Sequence, residues 1–518
     1  MIPQVQPPTL ASYTPFLSKI GVQQSKIPTP PPPAPTPGSL LDHLPDFVQA
    51  RLRKVPALWG SAPISKQMAI PAVARPMPIP LSPSKVKRPR SHMFGTMASL
   101  VHVPLALPQL AAKNRAAHKQ LTEGGGPLDT MYKDVITTLG ETPNLPTPDG
   151  IEIVLVRQVT KDGKTTGKVE WTSNSTTKSD AIADENARDA VRHIEKFIHF
   201  AQKAIDDNPI IKRLVPAGFK LFAGKRIIVG IDFYPTPGDD DEANGYANAF
   251  HTMGPREEVM MIFGAPPKPG SQLFDIVEST TKDASIPAHE LWHAVNSAIS
   301  AAFKGFSSYM GYTGAQEERS ADAGAKAGIS TEYLKRPLTR ADMLIGDHWI
   351  KGPGALRDLV QPGTARDPNH PFGPDMQVGR FGDYDRYRTP THHATEEKDR
   401  GGVHLHSGEL ITPFSMGVLN VDNGDPMPSL HIITGVRILA SMNNLEDLPV
   451  HDTAFLHILS AWMCFGDTRP DRVQKELEIW QELGILDKSI RSYMEIIDTT
   501  QLKDYHDNPP QDMTGAGV

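Results

Sequence analysis

The sequence predicts an α+β fold, on three observations. Apolar runs of strand length fall in the first part of the chain's body, between about residues 150 and 265. Beyond about residue 284, apolar residues recur at helical three- and four-residue steps. No regular strand–helix alternation, the mark of a doubly wound parallel sheet, links the two parts.

The elements follow in order. Residues 1–110 read as a leader. Its first hundred residues hold 20 of the 49 prolines, and only Asp42 and Asp46 stand against eleven Lys and Arg. The run from Thr29 to Gly38 favours polyproline II, and Lys85–Arg90 is a small basic cluster. The expectation is a solvated, disordered arm, with a docking segment for a partner, an export signal or a pro-region as the sharper alternatives. Met1-Ile2-Pro3-Gln4 has neither the basic start nor the apolar stretch of a Sec-type signal. Residues 111–150 read as a helix followed by a Gly/Pro-rich linker, with breakers at Gly124–Pro127 and Pro143–Pro148. Ile151–Val156 and Lys168–Trp171 flank Lys161-Asp162-Gly163-Lys164, a hairpin signal. A helix is expected over 184–206, where Ala187, Val191, Ile194, Ile198, Ala201 and Ile205 repeat on one face. Lys225–Phe233 and Val259–Phe263 read as buried strands. Helices are expected at 284–303, 315–328, 428–443, 451–465 and 470–484, with long loops over 345–400. The domain expectation is therefore a leader (1–110), a helix and linker (111–150), an α/β lobe (151–303), a mainly helical lobe (304–495) and a polar tail (496–518).

Composition narrows the function classes. The length is that of about three domains, ample for a large core. Cys464 is the single cysteine, so a metal site, if present, is built from His, Asp and Glu rather than thiolates. The net charge of −6 gives no sign of nucleic-acid binding. No apolar run approaches the ~20 residues of a membrane span.

The chemistry-bearing signal is Ala288-His289-Glu290-Leu291-Trp292-His293-Ala294-Val295. On a helix His289 and His293 lie four apart on one face, where both imidazoles reach one Zn²⁺, and Glu290 is beside them to hold water. This is the HExxH pattern of a metallopeptidase; two histidines packed in a core are the bland alternative. Asn296 and Ile299 stand where a third histidine ligand would need Gly and His, so the third ligand belongs to another helix. Glu318 and Asp322, four apart, supply one. Glu318 is the candidate ligand, and Asp322 the acceptor for the second ring N–H of His289.

With these landmarks in order, residues 180–490 resemble the thermolysin family of neutral zinc metallopeptidases. Tyr246-Ala247-Asn248-Ala249-Phe250 is similar to that family's peptide-pairing edge strand. His289–Val295 resembles its zinc helix, and Tyr309 precedes Gly314-Ala315 and Glu318 in register. Met343–Asp347, Ala355–Leu359 through Asp367–His370, Asp399–Gly408 and Glu478–Ile485 resemble further segments. The resemblance implies a strand-rich and a helical lobe with a cleft between, and cleavage of protein or peptide on the amino side of bulky apolar residues. It implies His289, His293 and Glu318 as zinc ligands and Glu290 as general base. Tyr309 and His404 would be oxyanion donors, with Asp399 orienting His404. Asn248 and Ala249 would align substrate, and Arg357 would hold a substrate carbonyl.

The departures are specific. The stretch Ser297–Ser308 before Tyr309 is longer than in the family. Ser285, Ile329 and Asp347-His348 stand where calcium-binding carboxylates are usual, so the family's paired calcium site is expected to be absent. His406 replaces an Asn, and His392 and His393 are expected to be loop residues. The resemblance favours export by a non-Sec route, with a cytoplasmic location as the alternative. The rival reading is a protein of this fold that binds without turnover, delivered or docked through its proline-rich arm.

Overall fold

The computed structural model describes residues 98–99, 127–139, 151–161, 164–173, 182, 184–214, 219–234, 243–254, 258–303, 309, 311–372, 375, 377–378, 402–442 and 450–496. Most of the 1–110 leader, Asp399, His392, His393 and the tail beyond 496 lie outside these residues.

The fold is a small mixed sheet packed among many helices. Six strands are involved: β1 (Ala98–Ser99), β2 (Ile151–Lys161), β3 (Lys164–Ser173), β4 (Lys225–Phe233), β5 (Ala249–Met253) and β6 (Val259–Gly264). Their spatial order is β1-β5-β6-β4-β2-β3. The centre, β2-β4-β6, is parallel, and both flanks are antiparallel. Strand β6 is apolar throughout and β4 is apolar from Ile227 to Ile231, as stretches covered on both faces must be.

Helix α1 (Pro127–Leu139) covers one face of the sheet. Its Leu128, Met131, Tyr132 and Val135 pack with Val154, Val156, Ile228, Phe250, Met260 and Ile262. This helix lies between the two breaker clusters, and Pro127 opens it, since a first-turn residue has no helical acceptor for the N–H that proline lacks.

The other face is covered by α2 (Glu185–Asp207) and by α4 (Ser285–Ala302), with the short α3 (Pro209–Leu214) between them in sequence. Asp184 caps α2 by accepting from the Ala187 N–H at 2.9 Å, an interaction worth about 0.5–2 kcal/mol. One continuous apolar core runs from the sheet through α2 and α4 to α5 (Gly311–Ile329) and α7 (Met427–Met442). Helices α5 and α4 approach closely at Gly324, where an added Cβ would lie 2.0 Å from Trp292. A satellite core holds α8 (Val450–Phe465) and α9 (Pro470–Glu482) against α5 and α7.

Helix α6 (Val403–Met416) was absent from the sequence expectations. Its side chains are buried on nearly every face, so no polar stripe marks a 3.6-residue period, and Gly408 and Pro413 interrupt the propensity. Tertiary burial holds it: a Cβ at Gly408 would meet the Val378 carbonyl at 2.5 Å. No described helix is long and apolar enough to cross a membrane.

Candidate metal centre

Two helices build the site. The helical repeat of α4 sets His289 and His293 on the face turned to α5, and the same repeat sets Glu318 and Asp322 on the face of α5 turned back. His289 Nε2 lies 3.0 Å from His293 Nε2. Glu318 Oε2 is 3.4 Å from His289 Nε2, and Glu318 Oε1 is 3.4 Å from His293 Nε2. All three residues are buried. Tetrahedral zinc with bonds of ~2.0–2.2 Å requires ligand atoms about 3.3 Å apart. The observed spacing fits that requirement, and these donors are imidazole and carboxylate, which zinc accepts.

The carboxylates behind the ligands fix their orientation. His289 Nδ1–H donates to Asp322 Oδ1 at 2.8 Å, which leaves the Nε2 lone pair turned to the ligand cluster. Arg357 donates from Nη1 to both Asp322 oxygens, at 2.9 and 3.0 Å, and from Nη2 to Glu318 Oε2 at 2.9 Å. The sequence reading gave Arg357 to a substrate carbonyl. The structure adds that its fork clamps the site's own carboxylates.

The charges follow from these contacts. Burial alone raises the Glu318 carboxyl; the nearby His404 and Arg357 charges and hydrogen bonds from His289 and His293 outweigh it and hold it well below the usual range. Burial lowers His289, but Asp322 and Glu318 overturn this and push it up to about 9. Glu290 is the odd member. It is fully buried, and neither oxygen closes a hydrogen bond with a described residue. Burial first, then the charge of Glu318, raises its carboxyl to about 8 against the pull of His289, Arg357 and the nearby His251 backbone.

Tyr309 and His404 converge on the same point. The Tyr309 hydroxyl donates to Glu318 Oε1, and His404 Nε2 lies 3.6 Å from that oxygen at the start of α6. Asn248, just before β5, is buried and donates from Nδ2 to the Tyr246 hydroxyl at 3.0 Å. Its carbonyl accepts from Gly264 N–H at 2.9 Å, an approach only glycine allows, because a Cβ there would sit 1.7 Å from the Tyr246 carbonyl. Ala249 opens β5 and pairs with Phe263. Asp399 is outside the described residues. One residue was missed: His251, on β5 two residues from Ala249, stacks on His293 with ring centroids 6.4 Å apart. The period of two along a strand puts Ala249 and His251 on one face, a signal available once β5 was recognised.

Around the expected calcium region, Ser285 accepts from the Gly346 N–H and donates to Asp283, whose other oxygen takes the His348 N–H at 2.8 Å. Asp283, Asp347 and His348 bring ligand atoms within 4.8 Å of one another. Buried Lys326 lies in the field of Asp283, Asp347, Asp322 and Asp342, which counter the lowering that burial imposes on it.

No protein-family model matches the chain, and no curated protein matches it. Among solved structures, a chain described as the precursor of protealysin, a metalloproteinase from Serratia proteamaculans, is similar at a TM-score of 0.48 and 19% identity, covering 75% of this chain and 100% of that one.

Proposed function

We propose that this protein is a zinc-dependent endopeptidase that cuts on the amino side of bulky apolar residues. The observation that carries the reading is the His289–His293–Glu318 cluster at zinc spacing beside Glu290, a buried carboxyl without a hydrogen-bond partner among the described residues. Unpaired buried carboxyls are costly, and they persist where chemistry uses them.

Held by His289, His293 and Glu318, zinc would supply a Lewis acid for the scissile carbonyl and for water, and a positive charge that favours the ionised Glu290 carboxylate. Glu290 takes a proton from water as the oxygen attacks the carbonyl carbon, and returns it to the departing amine as the C–N bond breaks. Tyr309 and His404 donate hydrogen bonds to the oxygen on which negative charge develops, with Asp399 orienting His404. Asn248 and Ala249 align the peptide along the β5 edge. Arg357 keeps Glu318 and Asp322 in place and is the candidate for a substrate carbonyl.

The β5 edge carries a second reading, a latent form. One side of β5 pairs with β6, and the other pairs with β1, with Ala98 opposite His251 and Ser99 opposite Phe250. That outer edge is where an added peptide strand would lie, so the leader segment occupies a substrate's place. For calcium, the Lys326 ammonium among Asp283 and Asp347 supports the loss of the family's paired site.

The test is digestion of a random peptide mixture by the purified full chain, untreated, chelated, and chelated with zinc restored. Cuts before Leu, Phe or Ile that vanish with chelation and return with zinc are expected. Absence of cuts both from zinc-loaded full chain and from protein freed of residues 1–110 would reject the peptidase reading in favour of binding without turnover.

A further inference from the structure

We infer that His251 determines specificity at one subsite of the peptide groove, selecting a substrate side chain that hydrogen-bonds to its ring. The inference rests on the peptidase reading of the metal centre.

Strand β5 presents two faces. Phe250 packs on the α1 side of the sheet with Met260 and Ile262. Ala249 belongs to the core on the other side, with α4, and His251 lies over His293 of that helix, the two rings nearly parallel at 15°. His251 is only 2% exposed, and its Nε2 is buried without a hydrogen-bond partner among the described residues. A buried ring nitrogen left unpaired is unfavourable relative to a paired one. His251 does not belong to the three-residue ligand cluster. An aliphatic or phenyl side chain would fill the same place over His293 without that penalty.

The strand register says what can satisfy this nitrogen. The outer edge of β5 takes an antiparallel strand with its residue directly opposite His251, as Ala98 shows by its backbone pairing. In an antiparallel pair, directly opposite residues share a face, with Cβ atoms about 4.5–5.5 Å apart. A substrate residue in that position therefore projects beside the imidazole, on the face that holds the metal ligands. Serine, threonine, asparagine or glutamine there gives Nε2 its missing partner. A large aliphatic side chain leaves the nitrogen dry and unpaired. The neighbouring substrate residues point to the opposite face and do not meet His251.

The experiment compares cleavage-site profiles of wild-type, His251→Phe and His251→Gln full-length proteins on one random peptide mixture, with zinc per chain measured for each. Phenylalanine keeps a ring over His293 and removes the nitrogen; glutamine keeps a polar group. The expected result is a wild-type preference for hydrogen-bonding side chains at a single position, about tenfold over aliphatic ones. His251→Phe should reverse it at that position alone, and His251→Gln should retain it. An unchanged profile in zinc-loaded His251→Phe, or a uniform loss of rate at every site, overturns the inference while leaving the peptidase reading intact. If His251→Phe does not fold, a His251→Gln profile without polar preference overturns it equally. If neither the zinc-loaded full-length wild type nor wild type freed of residues 1–110 cuts the mixture, the peptidase reading falls and this inference with it; if only the freed form cuts, the three profiles are compared in that form.

Discussion

Glu318 and Arg319 are adjacent on α5 and face opposite environments. Glu318 looks into the metal centre, where Glu290 and His251 hold buried polar atoms without partners. Arg319 looks into an ionic network between helices. Its Nη1 donates to His457 Nε2, and His457 Nδ1–H donates to Glu476 at 2.9 Å. Glu476 also accepts from Trp480 at 3.1 Å and from Arg472 at 2.8 Å, and Arg472 continues to Asp422 at 2.9 Å and to Ser429 at 3.0 Å. Both regions are buried and rich in charge. In the network nearly every group is matched, and the result is a fixed junction of α5, α8 and α9. In the metal centre the matching stops short at a base and at a ring nitrogen. The difference teaches where chemistry resides: paired buried charge holds a fold, and an unpaired group beside it is available to a ligand.

That contrast can be broken from either side. The largest expected effect is on turnover. Glu290→Gln removes the base and leaves the ligands, so peptide cleavage should fall by ~10²–10⁴-fold. Zinc per chain, measured by atomic absorption, should stay at the wild-type value; its loss would contradict the ligand assignment.

On the network side, Glu476→Ala removes the carboxylate that His457, Arg472 and Trp480 share, leaving Arg472 with Asp422 and Ser429. Breaking a buried pair in this way costs about 3–5 kcal/mol. Denaturant unfolding should show that loss, while zinc stoichiometry of the folded fraction stays unchanged. A loss under about 1 kcal/mol would mean that the network contributes little.

Asp322→Ala removes the acceptor behind His289 and half of the Arg357 clamp. Zinc affinity should fall about 10–100-fold in competition with a chromophoric chelator. An unaltered affinity would show that His289 needs no orienting carboxylate.

Metal uptake should also release protons. In the metal-free protein His289 is raised to about 9 and Glu290 to about 8, so both are protonated at pH 7. Zinc competes with the His289 proton directly and favours the ionised Glu290. Apparent zinc affinity should therefore rise with pH from 7 towards 9, with acidification of a weakly buffered solution on zinc addition. A flat affinity profile would exclude these protonation states.

The smallest effect is acid sensitivity of the network. Burial lowers His457 from 6.5 to about 4, and the partners of Glu476 outweigh its burial and lower it from 4.5 to about 2. The unfolded chain binds protons more readily than the folded one at both sites. Their stabilisation is thus present above pH 6.5 and is lost as pH falls, first through the histidine window and then between 4.5 and 2. Glu476→Gln should flatten the lower part of that decline in thermal midpoints.

The placing of His289 and His293 side by side was legible because a spacing of four has one geometric meaning on a helix. Glu318 and Asp322 were legible by the same spacing, but only as a pair lying after that helix. The helices α2, α4, α5, α7, α8 and α9 were expected within a few residues of their observed ends, because apolar residues recur in each at three- and four-residue steps. Helix α6 was not, because burial on nearly all sides erases the pattern that periodicity detects. Pro127 reads as a breaker in sequence and acts as a helix opener in space.

The sequence by itself determined that His289, Glu290 and His293 come together, since one turn of helix is enough to do it. Tertiary structure alone decided that Arg357 clamps Asp322 and Glu318, that His251 lies over His293, and that Ala98–Ser99 pairs with the outer edge of β5. Those contacts join residues from 35 to more than 150 positions apart. No local period encodes such a meeting. It is set by how the sheet, α4 and α5 bury their apolar faces against one another.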